Sequence, residues 1–151
     1  MMKRINYLFV ASIITFLWIT PLAYMLVDNQ PPYEYDVSRS YVIPAKVPQQ
    51  NQVTVHWHIS RVHRLCPGRV TRIIVDASTG VRTVYDPVPA VLPLDPLTKE
   101  MALDRTFVLP PNLTPGLHYY KTINEFSCNL LQRFWPLTVA TPEIPFEVLE
   151  R

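Results

Sequence analysis

A chain of 151 residues with a net charge of +2 and 48% apolar residues is long enough for one folded domain and a short additional element. Its 16 prolines against three glycines argue against a helical bundle, because proline breaks helices and is tolerated at turns and strand edges. The small net charge, without a block of like charges, leads us to expect no nucleic-acid partner.

The first element is an apolar segment preceded by two cations. Lys3 and Arg4 stand before an uncharged stretch from Ile5 to Val27. As a helix rising ~1.5 Å per residue, this stretch would cover roughly 34 Å, enough to cross a hydrocarbon core of ~30 Å. Acidic residues follow, beginning with Asp28, so the positive-inside tendency places the N-terminus in the cytoplasm and the rest of the chain outside. We therefore predict that residues 1–27 are a signal anchor crossing the inner (cytoplasmic) membrane once, with residues 5–27 in the lipid bilayer.

Two other interpretations of this segment are open. A cleaved signal peptide has an apolar region of ~7–15 residues ending in a small-x-small site, whereas this stretch is longer and has no such end. A helix buried inside a soluble protein is the third interpretation.

Residues 28–40, with the sequence DNQPPYEYDVSRS, are polar, contain prolines and show no helical period, which predicts a short linker. We expect Tyr33, Tyr35 and Tyr41 to pack on the base of the domain that follows. That domain is predicted to occupy residues 41–151.

From Tyr41 onward the sequence predicts β-strands. QVTVHWHI alternates apolar and polar side chains, which is the period of a half-buried strand. Residues 69–76 and 81–86, separated by the turn residues ASTG, predict a hairpin. MALDRTFVL, LHYYKTINEF and LTVATPEIPFEVL predict further strands, whereas the four prolines of residues 87–96 predict a loop or an irregular sheet edge. About seven short strands predict a mainly β domain built as a two-sheet sandwich.

The stretch LPPNLTPGLHYY, residues 109–120, resembles a feature of immunoglobulin-like domains, in which a proline–glycine turn enters a strand and a tyrosine near its start closes a corner. The resemblance implies an immunoglobulin-like β-sandwich with Tyr119 or Tyr120 at that corner. Trp57 precedes the first cysteine, which departs from the Cys–Trp–Cys order of antibody domains. The resemblance implies a fold and no activity.

The only two cysteines are Cys66, in HRLCPG, and Cys128, in NEFSCNL. In an immunoglobulin-like order they would end the second and sixth strands, in opposing sheets but at the same pole of the sandwich. A disulfide there is geometrically plausible, and export would favour its oxidation. Two free buried thiols and a metal or redox pair are the alternatives, although a redox pair is more often C-x-x-C.

Large apolar residues follow Cys128 in NLLQRFWP, residues 129–136, where a loop is expected. This loop and the two cysteines would form one end of the domain, which we call the loop pole. Loops at strand ends often carry binding, and aromatic and arginine side chains favour contact hot spots. Alternatively, the loop seals the end of the sandwich or inserts partly into a membrane interface. The candidate partner-binding residues are Arg64, Arg69, Leu130, Leu131, Arg133, Phe134 and Trp135.

His56 and His58 lie two positions apart, so both side chains would project from one face of a strand. Such a pair can bind one metal ion, with His63 or His118 completing the site. The alternative is an ordinary exposed strand face.

No G-x-S-x-G, P-loop or H-E-x-x-H motif occurs, so we expect neither an enzyme nor a cofactor. The expected function is that of a membrane-anchored, non-enzymatic binding or assembly domain displayed outside the cytoplasm. It would contact an envelope or virion protein through the loop pole. The alternative is a periplasmic domain that handles copper or zinc through His56 and His58.

Overall fold

A computed structural model describes residues 2–90 and 100–150 of the chain. One apolar helix is followed by β-strands, which confirms the prediction of a mainly β protein with an N-terminal helix. The elements are α1 (Met2–Val27), β1 (Tyr33–Ile43), β2 (Lys46–Pro48), β3 (Gln52–Val62), β4 (Gly68–Asp76), β5 (Arg82–Val84), β6 (Val88–Pro89), β7 (Met101–Val108), β8 (Gly116–Phe126), a 3₁₀ turn (Leu131–Arg133), β9 (Leu137–Ala140) and β10 (Ile144–Leu149).

The helix α1 has the length and composition of a membrane span over Phe9–Val27, and none of that window is buried against the rest of the protein. Its two threonine hydroxyls are satisfied within the helix, because Thr15 donates to the carbonyl of Ala11 and Thr20 to that of Phe16. A membrane anchor and a signal sequence both have these properties. The orientation of the helix and the identity of the membrane stay predictions.

The strands form two sheets. β1, β3 and β7 make an antiparallel three-stranded sheet in the order β1-β3-β7. The larger sheet has seven strands in the order β2-β10-β8-β4-β5, with β6 also paired to β4 and β9 to β8. It is mixed, because β2 runs parallel to β10 while the other pairs are antiparallel. The described residues thus hold ten strands and not about seven. β2 and β6 are too short for a period of two to reveal them, and the last predicted strand is divided into β9 and β10.

The first strand begins inside the segment predicted as a linker. β1 starts at Tyr33, so only residues 28–32 separate it from α1. Register shifts between Glu34 and Tyr35, and again beyond Asp36, break the alternation of this strand and hide it in the sequence. Tyr33 is buried and Tyr35 is half-buried, as expected for tyrosines that pack on the domain.

The two sheets face each other across one apolar core. The indole of Trp57, on β3, lies 6.1 Å from the ring of Tyr120, on β8, measured between ring centroids. A second, smaller cluster of Tyr33, Ile59 and Phe126 lies beside the cysteines. The buried core residues are Val42, Val47, Val53, Val55, Trp57, Ile74, Phe107, Leu109, Leu113, Tyr120, Ile144, Phe146 and Val148.

The predicted hairpin is present, because β4 and β5 pair antiparallel. Asp76 closes its turn by accepting hydrogen bonds from the backbone amides of Ser78 and Thr79, and Gly80 supplies the positive φ of 72° that ends it. Beyond it, Val88–Pro89 pair with β4 as part of an irregular edge. The remainder of the proline-rich stretch, residues 91–99, lies outside the described residues.

Candidate functional site

The loop pole is organised around the two cysteines. The sulfur atoms of Cys66 and Cys128 lie 2.10 Å apart and their Cα atoms 4.8 Å apart, so the two residues come together at disulfide distance as predicted. The pair stands at the end of the β4–β8 ladder, whose outermost partners are Gly68 and Phe126. A backbone hydrogen bond of 2.9 Å from Ser127 to the carbonyl of residue 67 continues the ladder toward the cysteines.

Residues 129–136 form a loop that is held from inside by Gln132, which is buried. The side-chain oxygen of Gln132 accepts a 2.8 Å hydrogen bond from the backbone amide of Cys128. The backbone amide of Gln132 donates to the side-chain oxygen of Asn129 at 3.0 Å. The hydroxyl of Ser127 donates to the Gln132 carbonyl. These bonds fix the backbone, so the positions of the outward side chains are defined by the fold.

The loop also binds the C-terminal end of α1. The Gln132 side-chain nitrogen donates to the Asp28 carbonyl at 2.8 Å, and the Asn129 side-chain nitrogen donates to the Met25 carbonyl at 3.3 Å. The last carbonyls of a helix have no partner within the helix, so Asn129 satisfies one of them. Sequence reasoning did not identify these two residues. Their only signal is two amide side chains within an otherwise apolar loop.

Arg64 binds the residues that directly follow α1. Its guanidinium donates to the Asp28 carboxylate at 2.5 Å and to the Gln30 carbonyl at 2.5 Å. A cation at this place also opposes the partial negative charge of the helix C-terminus. Predicted as a partner-binding residue, Arg64 is therefore engaged within the chain and attaches the helix to the domain.

Acidification is expected to weaken this junction. The hydrogen bond from Arg64 holds the pKa of the Asp28 carboxyl below its ordinary value of 3.8. Because the folded-state pKa is depressed, the pairing contributes stability above pH 3.8 and loses it as the pH falls through the folded-state value. Melting temperatures of the full chain in detergent between about pH 6 and about pH 2.5 should fall less for Asp28→Asn than for the wild type. Asp86→Asn, at an exposed position, is the control and should behave as the wild type. An equal fall for all three proteins would contradict the expectation.

Three large apolar side chains of the loop are left exposed. Leu130, Phe134 and Trp135 are 62%, 76% and 73% exposed, and the two aromatic rings lie 6.2 Å apart. Leu131 is half-buried and lines, with Trp135, a cleft of about 310 Å³ between the loop and the helix end. Of the predicted contact residues, these are the ones that the fold brings together beside the end of α1.

The two remaining arginines lie on another side of the loop pole. Arg69 and Arg133 are exposed and line an open groove of about 420 Å³. Glu125, the register partner of Arg69, lines the same groove. The loop pole therefore has an apolar side next to the helix and a mainly basic groove.

The four histidines are separated, each beside a different carboxylate. The Nδ1 atom of His56 lies 2.5 Å from Asp104, and Nε2 of His58 lies 3.8 Å from Glu100. Tyr41, which is exposed and does not pack on the base of the domain, stacks on the His56 ring at 4.8 Å. The other two pairs are His63 with Glu34 and His118 with Asp76. Within residues 2–90 and 100–150 no group of three or more His, Cys, Asp or Glu side chains is arranged to hold a metal ion, so no observation favours the metal-handling alternative.

A small cavity of about 70 Å³ lies between the sheets and was not anticipated. The Arg72 guanidinium beside it stacks over the rings of Tyr85 and Phe107, at 5.1 and 5.7 Å from their centroids. Burial raises the pKa of Tyr85 to about 12. The basic pattern of β4 in the sequence gives no sign that one of its arginines turns toward the core.

No protein-family model and no curated protein matches this chain. Among solved structures, the chain is similar to the alkylpurine DNA glycosylase AlkC of Pseudomonas fluorescens bound to DNA containing an abasic site analog, with 13% identity and a TM-score of 0.44. The similarity covers 74% of this chain and 29% of the glycosylase chain, so this chain spans less than a third of that protein.

This comparison contradicts two expectations drawn from the sequence. The similar structure is a DNA-bound enzyme, whereas we expected neither an enzyme nor a nucleic-acid partner. The exclusions are wrong because a net charge does not describe where charges lie, and missing motifs exclude only the enzyme classes that those motifs mark. We withdraw both exclusions. At this identity and TM-score the likeness assigns neither catalysis nor DNA binding to the chain.

Proposed function

We propose that this chain is a membrane-anchored binding or assembly domain, held outside the cytoplasm by residues 5–27. Its loop pole contacts another envelope or virion component. The direct attachment of the helix end to the loop pole, through Asn129, Gln132 and Arg64, carries this proposal. This attachment keeps the loop pole at the membrane surface, where a partner in the same membrane reaches it by diffusion within the membrane plane.

We also propose that the two sheets form an immunoglobulin-like sandwich. The facing of the sheets across a shared apolar core supports this assignment. The burial of Tyr120, in the stretch that resembles the corner of such domains, supports it further. A fold of this kind presents loops at its poles, which suits a binding domain.

The basic groove is the part of the loop pole that binds the partner. Arg69 and Arg133 are exposed there, and arginine is enriched among residues that dominate contact energies. An acidic surface on the partner would complement these cations.

Photo-crosslinking in the native membrane tests the proposal. A photoreactive amino acid is placed at Arg69 or at Arg133, with Ala77 as the control. Ala77 is exposed in the hairpin turn, at the opposite end of the same strand β4. We expect one protein adduct from both groove positions and none from Ala77. Adducts from Ala77 alone, or from none of the three, would contradict the proposal.

Removing both groove cations should then weaken the partner contact. Arg69→Ala together with Arg133→Ala is expected to lower partner binding at least ~10-fold, since each hot-spot arginine contributes ~1–2 kcal/mol. Both residues are exposed, so the melting temperature should stay close to that of the wild type. Unchanged binding in a folded double variant would count against the groove.

A further inference from the structure

The apolar side of the loop pole calls for an explanation of its own. Leu130, Phe134 and Trp135 expose most of their surface, although burying one such side chain stabilises by ~1.5–3 kcal/mol. The backbone that carries them is rigid, because Gln132 holds it from inside. Exposed apolar clusters of this kind mark contact with a protein or a membrane.

The hydrogen bonds of the loop fix its height relative to the helix. Asn129 binds the carbonyl of Met25, which precedes the helix end at Val27 by about 3 Å along the axis, at ~1.5 Å per residue. The loop therefore lies beside the last turn of α1 and not above it. When α1 spans a bilayer, this turn lies at the boundary between hydrocarbon and headgroups.

The composition of the loop fits that boundary. Tryptophan and tyrosine are enriched at membrane interfaces, and Trp135 lies near the last turn of α1, where Tyr24 is 75% exposed. Residues 129–136 contain no acidic side chain, so no carboxylate of the loop opposes contact with an anionic bilayer surface. The polar side chains of Asn129 and Gln132 are hydrogen-bonded within the protein, to the carbonyls of Met25 and Asp28 and to backbone amides of the loop.

We propose that Leu130, Phe134 and Trp135 insert into the outer interface of the phospholipid bilayer that holds α1. The domain then touches the membrane at two places, the helix and the loop, which fixes its tilt and leaves the basic groove for the partner. This inference rests on the membrane anchoring in the proposed function and adds a lipid contact to it.

Quenching by brominated phospholipids tests the insertion in the full chain, reconstituted in bilayer nanodiscs. The chain has three tryptophans: Trp18 in the helix, Trp57 buried in the core at 2% exposure, and Trp135. In a Trp18→Phe background the quenchable signal should come from Trp135. We expect strong quenching by bromines near the headgroup end of the acyl chain and weaker quenching by bromines near its methyl end. The control, Trp18→Phe with Trp135→Phe, should be quenched much less.

Equal quenching of these two variants would overturn the inference, as would full access of Trp135 to aqueous iodide. Because the nanodisc contains lipid alone, the test is independent of any protein partner. Absent quenching with persistent crosslinks from Arg69 would overturn the lipid contact and not the partner contact. Strong quenching without crosslinks would overturn the partner contact and not the lipid contact. Quenching of Trp18 by bromines deep in the acyl chains, measured in Trp135→Phe alone, checks the anchor itself, and its absence would overturn both.

Discussion

Replacing Cys66 and Cys128 together by alanine is expected to lower the free energy of unfolding by about 4 kcal/mol. The two residues are 62 positions apart, so their bond closes a long loop and removes much of the freedom of the unfolded chain. Denaturant unfolding of the full chain in detergent, followed by circular dichroism of the β domain, measures the difference.

Reductant provides the control for this variant. It should destabilise the wild type to the level of the double alanine variant and leave that variant unchanged. A double variant within about 1 kcal/mol of the wild type would contradict the expected contribution of the pair. A wild type insensitive to reductant, after full unfolding in its presence, would show that the sulfurs are not joined.

Phe126→Ala is expected to cost about 3–5 kcal/mol, because a ring that is 1% exposed leaves a cavity when it is removed. The ring packs edge-on against Tyr33 at 5.1 Å, in the cluster that supports the cysteines and the start of β1. Truncation should therefore loosen the loop pole as well as lower the global stability. Denaturant unfolding gives the energy, and hydrogen exchange at residues 127–136 reports the local effect.

Phe134→Ala is the matched control, since the same atoms are removed from a ring that is 76% exposed. Its free energy of unfolding in detergent should fall by much less than that of Phe126→Ala, because the Phe134 ring lies outside the core of the domain. The contrast between the two phenylalanines is the test. Similar losses at both positions would mean that the loop packs on the domain in solution, contrary to its exposed state here.

The elements that the sequence predicts best are those with a regular pattern. The uncharged run before Asp28 predicts α1, and the alternation around Trp57 predicts β3, because each pattern extends over many residues. β1 is missed since its register shifts interrupt the alternation, and β2 is missed since three residues carry no period. The parallel pairing of β2 with β10 depends on contacts between distant segments, which no local pattern encodes.

The same limit applies to the candidate site. Phe134 and Trp135 stand out in the sequence because aromatic residues are unusual in a predicted loop, and both are exposed in the structure. Arg64 and Arg69 are both candidate partner-binding residues in the sequence, yet Arg64 binds Asp28 and Arg69 faces an open groove. That difference depends on where α1 ends in space. Asn129 and Gln132 give only a weak signal, as two amide side chains in the loop, because their partners are backbone carbonyls more than a hundred residues away.

In the proposed membrane-anchored state, the short segment of residues 28–32 limits how far the domain extends from the bilayer. An extended, unstructured stalk would let a domain search several nanometres of the surrounding space. Here Gln132 binds the carbonyl of Asp28 and Arg64 binds its carboxylate, so the segment of residues 28–32 is held against the domain. The longest strands have 11 residues, or roughly 36 Å at ~3.3 Å per residue. A component fixed to a more distant layer of the envelope would have to extend inward to meet this protein.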